Sequence, residues 1–385
     1  MSGYKYQNFI TRFSFSQIYI CRERFKVKKI LFLAGDLNNS GGTERVSTII
    51  ANALAEKKYN VSFASIFNGD KPIFSVSDRV NLITLINNKR KIRSFFFIPL
   101  IILKIRQLLK KLNPDYLIVV ETMSVLFTLP ASLGLRTKVI AWEHFNFVSN
   151  LGRRSRDFSR KLAAKYCYRV IVLTDKDKDY WLSGTKHKNN IISIPNPNPY
   201  PINVIANKNN KIALSVGRLT YQKGFDLLIK SWIDVTKKHP DWKLIILGEG
   251  EDRLLLENMI ESNKLSDSVF LKGNVKDVVS FYKDADIFLL SSRFEGFPMV
   301  LLEALSFGLP VVAYDCNTGP SEILEGTNSP IVLEEDVKGF SDSINNLIEN
   351  DILRKEITLK SIQKSKLYLI DNIIPKWMRI FKDEA

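Results

Sequence analysis

The stretch Ile287-Phe-Leu-Leu-Ser-Ser-Arg-Phe-Glu295-Gly-Phe-Pro298-Met-Val-Leu-Leu-Glu303-Ala-Leu305 passes from an apolar run through a Gly/Pro turn into a helical pattern. Four consecutive apolar residues followed by turn residues read as a buried strand. Pro298 suits the first turn of the helix that follows, where its missing N–H costs nothing. The free backbone N–H groups of that turn can face a phosphate, and the helix dipole favours the negative charge. Glu303 falls little more than one turn into the helix, where a carboxylate can accept two vicinal hydroxyls. Glu295 stands in the preceding loop, free to reach a sugar hydroxyl. This is one βα unit with an anion-binding turn, and the fold depends on how many such units surround it.

Upstream, residues 212–216 form another apolar run and lead into Gly217-Arg218-Leu-Thr-Tyr-Gln-Lys223-Gly224. A guanidinium and an ammonium just past a strand can neutralise a diphosphate leaving group, a task metal ions perform elsewhere. Strands are also predicted at 242–247, 269–272, 287–290 and 310–313, with helix-length segments between them. An earlier series has strands at 27–34, 61–66, 116–120, 138–142 and 169–173, and the Gly35 to Gly42 loop precedes a helix over 44–54. Between the two series, the proline-dense Ile194-Pro-Asn-Pro-Asn-Pro-Tyr-Pro201 admits neither continuous helix nor central strand, and polar residues 207–211 follow. It reads as the interdomain linker. The predicted class is α/β, with two facing Rossmann-like, doubly wound domains at 27–205 and 206–370 and a ligand cleft between the carboxyl ends of their sheets. Residues 1–26 form an extension without clean periodicity, and residues 371–385 a helix that crosses back to the first domain.

The chain has 385 residues, 45% of them hydrophobic and 25% charged, enough for two ordinary cores. Cys21, Cys167 and Cys316 are far apart and make neither a CxxC pair nor a zinc spacing, so a reducing cytoplasm is expected. No run of 18 apolar residues occurs and no signal-peptide pattern stands at the amino terminus, so the expected protein is soluble or peripheral to a membrane. A formal charge of +16 calls for an anionic partner. Helix-turn-helix, zinc-finger and RNA-recognition patterns are lacking, which disfavours nucleic acid. Part of the charge surrounds an apolar run within 89–111, with eight basic and no acidic residues, where Lys89, Arg90, Lys91 and Arg93 precede residues 95–103. That pattern fits docking on an anionic membrane best, the alternative being an amphipathic helix packed on the first sheet and begun by Pro99.

The motifs together resemble glycosyltransferase family 4 of the GT-B fold. Its E-x7-E motif matches Glu295 through Glu303, and its strand followed by G-R-x-x-x-x-K-G matches Val216-Gly-Arg218 through Lys223-Gly224. Gly41-Gly42-Thr-Glu-Arg45 resembles the family's G-G-x-E-R loop, and Trp142-Glu-His144 its active-site histidine segment. The likeness spans roughly 27–380 and includes Leu247-Gly-Glu-Gly250 and Lys272-Gly-Asn-Val275. Cys316-Asn-Thr-Gly-Pro-Ser-Glu322 departs from the Gly-Gly-x-Pro-Glu wording common among relatives. The resemblance implies that Arg218 and Lys223 bind the donor diphosphate and that Glu303 takes the ribose. It implies that Glu295 and His144 contact the donor sugar and that Val275 lies near the base. Gly41 and Gly42 would face donor and acceptor, and Gly296, Phe297, Pro298 and Met299 would line the phosphate turn.

The function so implied is retaining, metal-independent transfer of a hexose or N-acetylhexosamine from a nucleotide sugar, UDP-linked by family frequency. The expected acceptor is a polyprenyl-diphosphate-linked saccharide, at the inner face of the cell membrane, in capsule- or O-antigen-type polysaccharide synthesis. A front-side displacement needs no protein nucleophile, so positioning and charge stabilisation carry it. The rivals are a nucleotide-sugar epimerase or phosphorylase of the same fold, and a non-catalytic membrane- or nucleic-acid-binding protein built on it. Asp175, Asp177 and Asp179 alternate as metal ligands do, yet a calcium loop would need Gly at Tyr180 and Glu at Lys186. They read instead as a helix amino terminus capped by Thr174.

Overall fold

The computed structural model describes residues 27–87, 97–187, 190–203 and 209–382. Its first half runs β1 (Lys29–Ala34), α1 (Gly42–Glu56), β2 (Asn60–Phe67), β3 (Asn81–Ile86), α2 (Ile98–Leu112), β4 (Tyr116–Val120), α3 (Val125–Ser132), β5 (Lys138–Trp142), α4 (Arg154–Tyr166), β6 (Arg169–Val172), α5 (Asp175–Gly184) and β7 (Ile191–Ser193). These strands form one parallel sheet in the order β3-β2-β1-β4-β5-β6-β7. A parallel sheet is buried on both faces, which is why β4 reads YLIVV with every residue buried. Successive side chains point to opposite faces. Ile30 and Phe32 of β1 therefore join the core under α1, while Leu31 and Leu33 join the one under α2, α3 and α4.

The second half runs β8 (Ile212–Val216), α6 (Phe225–Lys238), β9 (Lys243–Leu247), α7 (Arg253–Ser262), β10 (Val269–Gly273), α8 (Val278–Asp284), β11 (Ile287–Leu290), α9 (Met299–Ser306), β12 (Val311–Tyr314), α10 (Pro320–Leu324), β13 (Ile331–Val332), α11 (Val337–Glu349), α12 (Asp351–Lys366) and α13 (Ile370–Ile380). Its sheet is also parallel, ordered β10-β9-β8-β11-β12-β13. One apolar cluster runs from α1 and β1 of the first half through to β11, α9 and β12 of the second. α13 lies against the first half: Trp377 meets Trp142 edge-on at 4.7 Å, and Phe381 packs on Tyr116 at 4.9 Å.

The strands expected from the sequence form, with ends shifted by at most two residues. β3, β7 and β13 were not foreseen. All three lie at sheet edges, where short or half-exposed strands need no continuous apolar run. Pro298 caps α9 from outside and does not occupy its first turn. Thr174 does cap α5, its hydroxyl accepting the Asp177 N–H at 3.0 Å.

The described part of the basic, apolar segment is a packed helix. Lys89, Arg90, Lys91 and Arg93 lie outside the described residues. The remainder forms α2, whose Ile101, Ile105, Leu108 and Leu109 are buried in the first core. Among the described residues of that apolar run, only Leu100 and Leu103 are exposed large side chains, as amphipathic periodicity turns one face inward. Among the described residues no helix is long and apolar enough to cross a membrane.

Candidate active site

Strand order reverses between β8 and β11 in the second sheet, and a doubly wound sheet opens its ligand crevice at such a reversal. β8 delivers Gly217 and Arg218 there, and β11 delivers the loop to Glu295. Gly248, at φ 139, lets the end of β9 pass so close to the Gly217 carbonyl that a Cβ would sit 1.9 Å from it. Arg218 is exposed and has no ion-pair partner among the described residues. Lys223 is held differently: its Nζ donates to Glu295 Oε1 at 2.6 Å, and Ser292 Oγ donates to the same oxygen at 2.7 Å. Glu295 is therefore buried and engaged, where the sequence suggested a free loop carboxylate. Buried charges persist when so paired.

Glu303 is also buried, and both its oxygens are occupied. Arg45 Nη1, from α1 across the cleft, donates to Oε1 at 2.8 Å, and the Tyr282 hydroxyl donates to Oε2 at 2.7 Å. The Arg45 guanidinium also lies over the Tyr200 ring at 4.4 Å. Burial raises the Glu303 carboxyl above its usual range, with Arg45 and the Tyr282 hydrogen bond pulling the other way. The open carboxylate expected there is thus half of a cross-cleft ion pair. Two oxygens offer about four lone-pair sites, so capacity for further hydroxyl donors remains.

From the first half, β5 ends in Trp142, Glu143 and His144. The imidazole of His144 rests on Trp142 at 4.5 Å, its Nε2 is buried without a hydrogen-bond partner, and burial pushes its pKa down to about 3. The ring is neutral at any working pH. Gly296 packs against this segment so tightly that a Cβ would lie 2.2 Å from the His144 carbonyl oxygen. Asn146 Nδ2 donates to the Glu295 carbonyl at 2.7 Å. The histidine segment and the Glu295 loop, 149 residues apart at that bond, are therefore in direct contact. Gly42 faces Met299 at the start of α9, a Cβ there lying 3.6 Å from Met299 Cγ, while Gly41 precedes α1 as its N-cap. Phe297 is buried in the shared core, and Val275 packs at its margin.

Sequence reasoning missed the residues that hold these. Thr318 shares its hydroxyl proton between the Glu295 and Gly296 carbonyls, at 2.7 and 3.1 Å. This gives a physical reason for the Thr-Gly-Pro wording in that segment. Glu322 accepts the Asp175 N–H at 2.9 Å, placing a carboxylate of the second half on the amino terminus of α5. Glu143, fully buried, accepts Arg160 Nε at 2.9 Å and the Phe145 N–H at 3.0 Å, which shapes the loop after His144. Among the described residues no group of three or more His, Cys, Asp or Glu is arranged to hold a metal ion.

Two family models match the chain, one described as Glycosyltransferase Family 4 over residues 40–197 and one as Glycosyl transferases group 1 over residues 202–364. The amylovoran biosynthesis glycosyltransferase AmsD of Erwinia amylovora is 32% identical over 362 residues, which cover 91% of this chain and 98% of that one. The chain is a family 4 glycosyltransferase. The family 4 enzyme is also 25% identical, over 92% of its length and 98% of the relative's, to a Campylobacter jejuni α-1,4-N-acetyl-D-galactosaminyltransferase named for a GalNAc-GalNAc-diNAcBac-PP-undecaprenol substrate. Staphylococcus aureus TarM, solved in complex with α-GlcNAc-glycerol and UDP, superposes with a TM-score of 0.78 at 18% identity, covering 92% of this chain and all of that one. That likeness carries the GT-B fold, and family membership carries glycosyl transfer in polysaccharide biosynthesis.

Proposed function

We propose that this glycosyltransferase moves a hexose or N-acetylhexosamine from a UDP-sugar, with retention of anomeric configuration, to a polyprenyl-diphosphate-linked saccharide. The observation that carries the reading is the Lys223–Glu295 ion pair, five residues along the chain from exposed Arg218 and in a loop that contacts the His144 segment. Arg218 and Lys223 stabilise the diphosphate as its charge grows, aided by N–H groups at the start of α9. Glu303 takes the ribose hydroxyls, sharing or exchanging its bond to Arg45. Neutral His144 and Glu295 orient the donor sugar, Val275 borders the base, and Gly41 and Gly42 at the start of α1 face donor and acceptor. The leaving phosphate oxygen draws the proton from the acceptor hydroxyl, so neither protein nucleophile nor metal is needed. Residues 89–111, with Leu100 and Leu103 outward on α2, rest on the anionic inner face of the cell membrane beside the acceptor lipid. The UDP complex of TarM and the lipid-linked substrate in the Campylobacter relative's name support the donor and acceptor classes.

One assay tests these points. The enzyme is given UDP-, GDP- or ADP-sugars with a lipid-linked saccharide in phosphatidylglycerol or phosphatidylcholine vesicles. UDP release, acceptor-dependent, resistant to EDTA and faster on phosphatidylglycerol, is expected, with an α-linked product from an α-linked donor. Release from GDP-sugars alone or inversion at the anomeric carbon would overturn the transfer reading. Equal rates on both lipids, unchanged when Lys89, Arg90, Lys91 and Arg93 become Ser, would overturn the membrane one.

A further inference from the structure

The first sheet has a crevice of its own, whose chemistry the diphosphate site does not use. Its strand order reverses between β1 and β4, the counterpart of the β8/β11 reversal in the second sheet. Three carboxylates gather there: Asp36 past β1, Glu44 in the first turn of α1, and Glu121 past β4. Burial raises the Glu44 carboxyl, and the charges of Glu121 and Asp36 add to that. Asp36 is committed to its loop, accepting the Asn38 N–H at 3.1 Å and Asn68 Nδ2 at 3.0 Å. Glu121 is more open. Its side chain is 38% exposed, and Arg156 Nη2 donates to its Oε1 at 2.8 Å.

What lies behind Glu121 points to a ligand. Arg156 is only 3% exposed, its guanidinium sits 4.5 Å over the Phe145 ring, and its Nε and Nη1 have no hydrogen-bond acceptor; the nearest carboxylate to Nη1, that of Glu143, is 3.7 Å away. Thr122, the next residue after Glu121, is fully buried with its hydroxyl unpartnered. Buried polar groups are normally satisfied, so a buried guanidinium and hydroxyl both short of partners beside an exposed carboxylate mark an incomplete polar site. The Glu121 N–H donates to the Trp142 carbonyl at 3.0 Å, so this site stands one strand from His144 and the donor-sugar end of the cleft.

We propose that Glu121, held by Arg156 and flanked by Glu44, binds hydroxyls of the acceptor's terminal sugar ring, so that the acceptor enters as a neutral or amino saccharide and not as a polyol phosphate. This rests on the transferase reading above. Ionised carboxylates accept hydroxyl protons in strong bonds, and the same charges repel a phosphate. The lipid diphosphate of the acceptor is thereby kept out of the crevice and toward the membrane side.

Two variants and two acceptors test it. Glu121→Gln keeps an oxygen for Arg156 while removing the charge, and Glu121→Gly removes the side chain at a backbone φ of 78 that glycine adopts readily. Each is assayed with an alkyl-linked disaccharide and with a glycerol-phosphate oligomer, alongside UDP affinity and thermal midpoint. Wild type should use the saccharide, and the variants should raise its KM about tenfold or more, with a smaller change in kcat and an unchanged Kd for UDP. A merely structural role would move thermal midpoint, kcat and UDP affinity together. An unchanged acceptor KM in a folded variant, or a wild-type preference for the glycerol-phosphate oligomer, sinks this proposal alone. If wild type releases no UDP with any acceptor, the transferase reading falls and takes the proposal with it.

Discussion

At the strand-order reversal of the second sheet, Arg218 and Lys223 follow β8; at the matching reversal of the first, Asp36 follows β1 and Glu121 follows β4. The two crevices share a topology and face each other, yet one presents fixed cations and the other carboxylates. Backbone pattern decides where side chains leave a sheet, and residue type then decides what each crevice can hold. The halves also differ in how charge is kept. The first half carries a His144 whose pKa burial pushes down to about 3, a Glu44 raised by burial and a buried Asp177 whose pKa is pushed up to about 7, while in the second half burial raises Glu303. Of these groups, Asp177 is the one pushed up to about neutral pH.

The largest effects should come from the cations. Lys223→Ala and Arg218→Ala should each lower kcat roughly a hundredfold, as loss of one charge-stabilising donor does elsewhere, with a smaller change in KM for the UDP-sugar. Stability should separate them. Lys223→Ala leaves Glu295 buried without its cation at a cost of about 3 kcal/mol, while exposed Arg218, without an ion-pair partner among the described residues, can be removed within about 0.5 kcal/mol. Calorimetry with steady-state kinetics checks both; equal destabilisation by the two, or full turnover in either, would contradict the division of labour.

Arg45 is a cation that the first half lends to the second, and its removal should have an intermediate effect. Arg45→Ala leaves Glu303 with only the Tyr282 hydroxyl and should cost about 2 kcal/mol at pH 8. The sign with pH follows from the raised carboxyl. The folded pKa, already above 4.5, rises further without Arg45, so stability present at low pH is lost as pH climbs through the folded value. The gap between the thermal midpoints of variant and wild type should therefore be smaller at low pH than at pH 8. A deficit independent of pH would mean that Arg45 acts by packing on Tyr200 alone.

The parts of this site that were legible in the sequence are those whose partners are close in the chain. Arg218 and Lys223 sit five positions apart around one turn, and Glu295 through Glu303 span one strand-to-helix connection, so spacing alone relates them. Arg45 with Glu303, Asn146 with the Glu295 carbonyl and Arg156 with Glu121 meet only through packing of distant segments. No periodicity records such pairs. The fold followed the same rule: central strands announce themselves by continuous apolar runs, but β3 is half exposed and β13 has two residues. In α2 the apolar content was visible, while the direction of its buried face was not.

The smallest effect should come from Asp177, and it tests whether the first half carries a group that titrates near neutral pH. Its carboxyl accepts the Phe147 N–H at 2.6 Å and the Asp177 N–H is itself capped by Thr174, so it ties the loop after His144 to α5. Burial is the main cause of its pKa of about 7, Glu143 adds repulsion, and the Phe147 N–H, Arg160 and Trp181 oppose the rise. For an acid raised in the folded state, stability is fully present below the unfolded value near 3.8 and is lost as pH rises through about 7. Between pH 6 and 8 the wild type should lose on the order of 1 kcal/mol from this group. Asp177→Asn cannot ionise and keeps an oxygen for the Phe147 N–H, so its thermal midpoint should fall less over that interval. Because the loop carries His144 into contact with Gly296, the variant should also show less decline of kcat above neutral pH, by a factor of about two to three. Parallel pH profiles for wild type and variant, in both midpoint and kcat, would show that the pH-sensitive group lies elsewhere in the cleft.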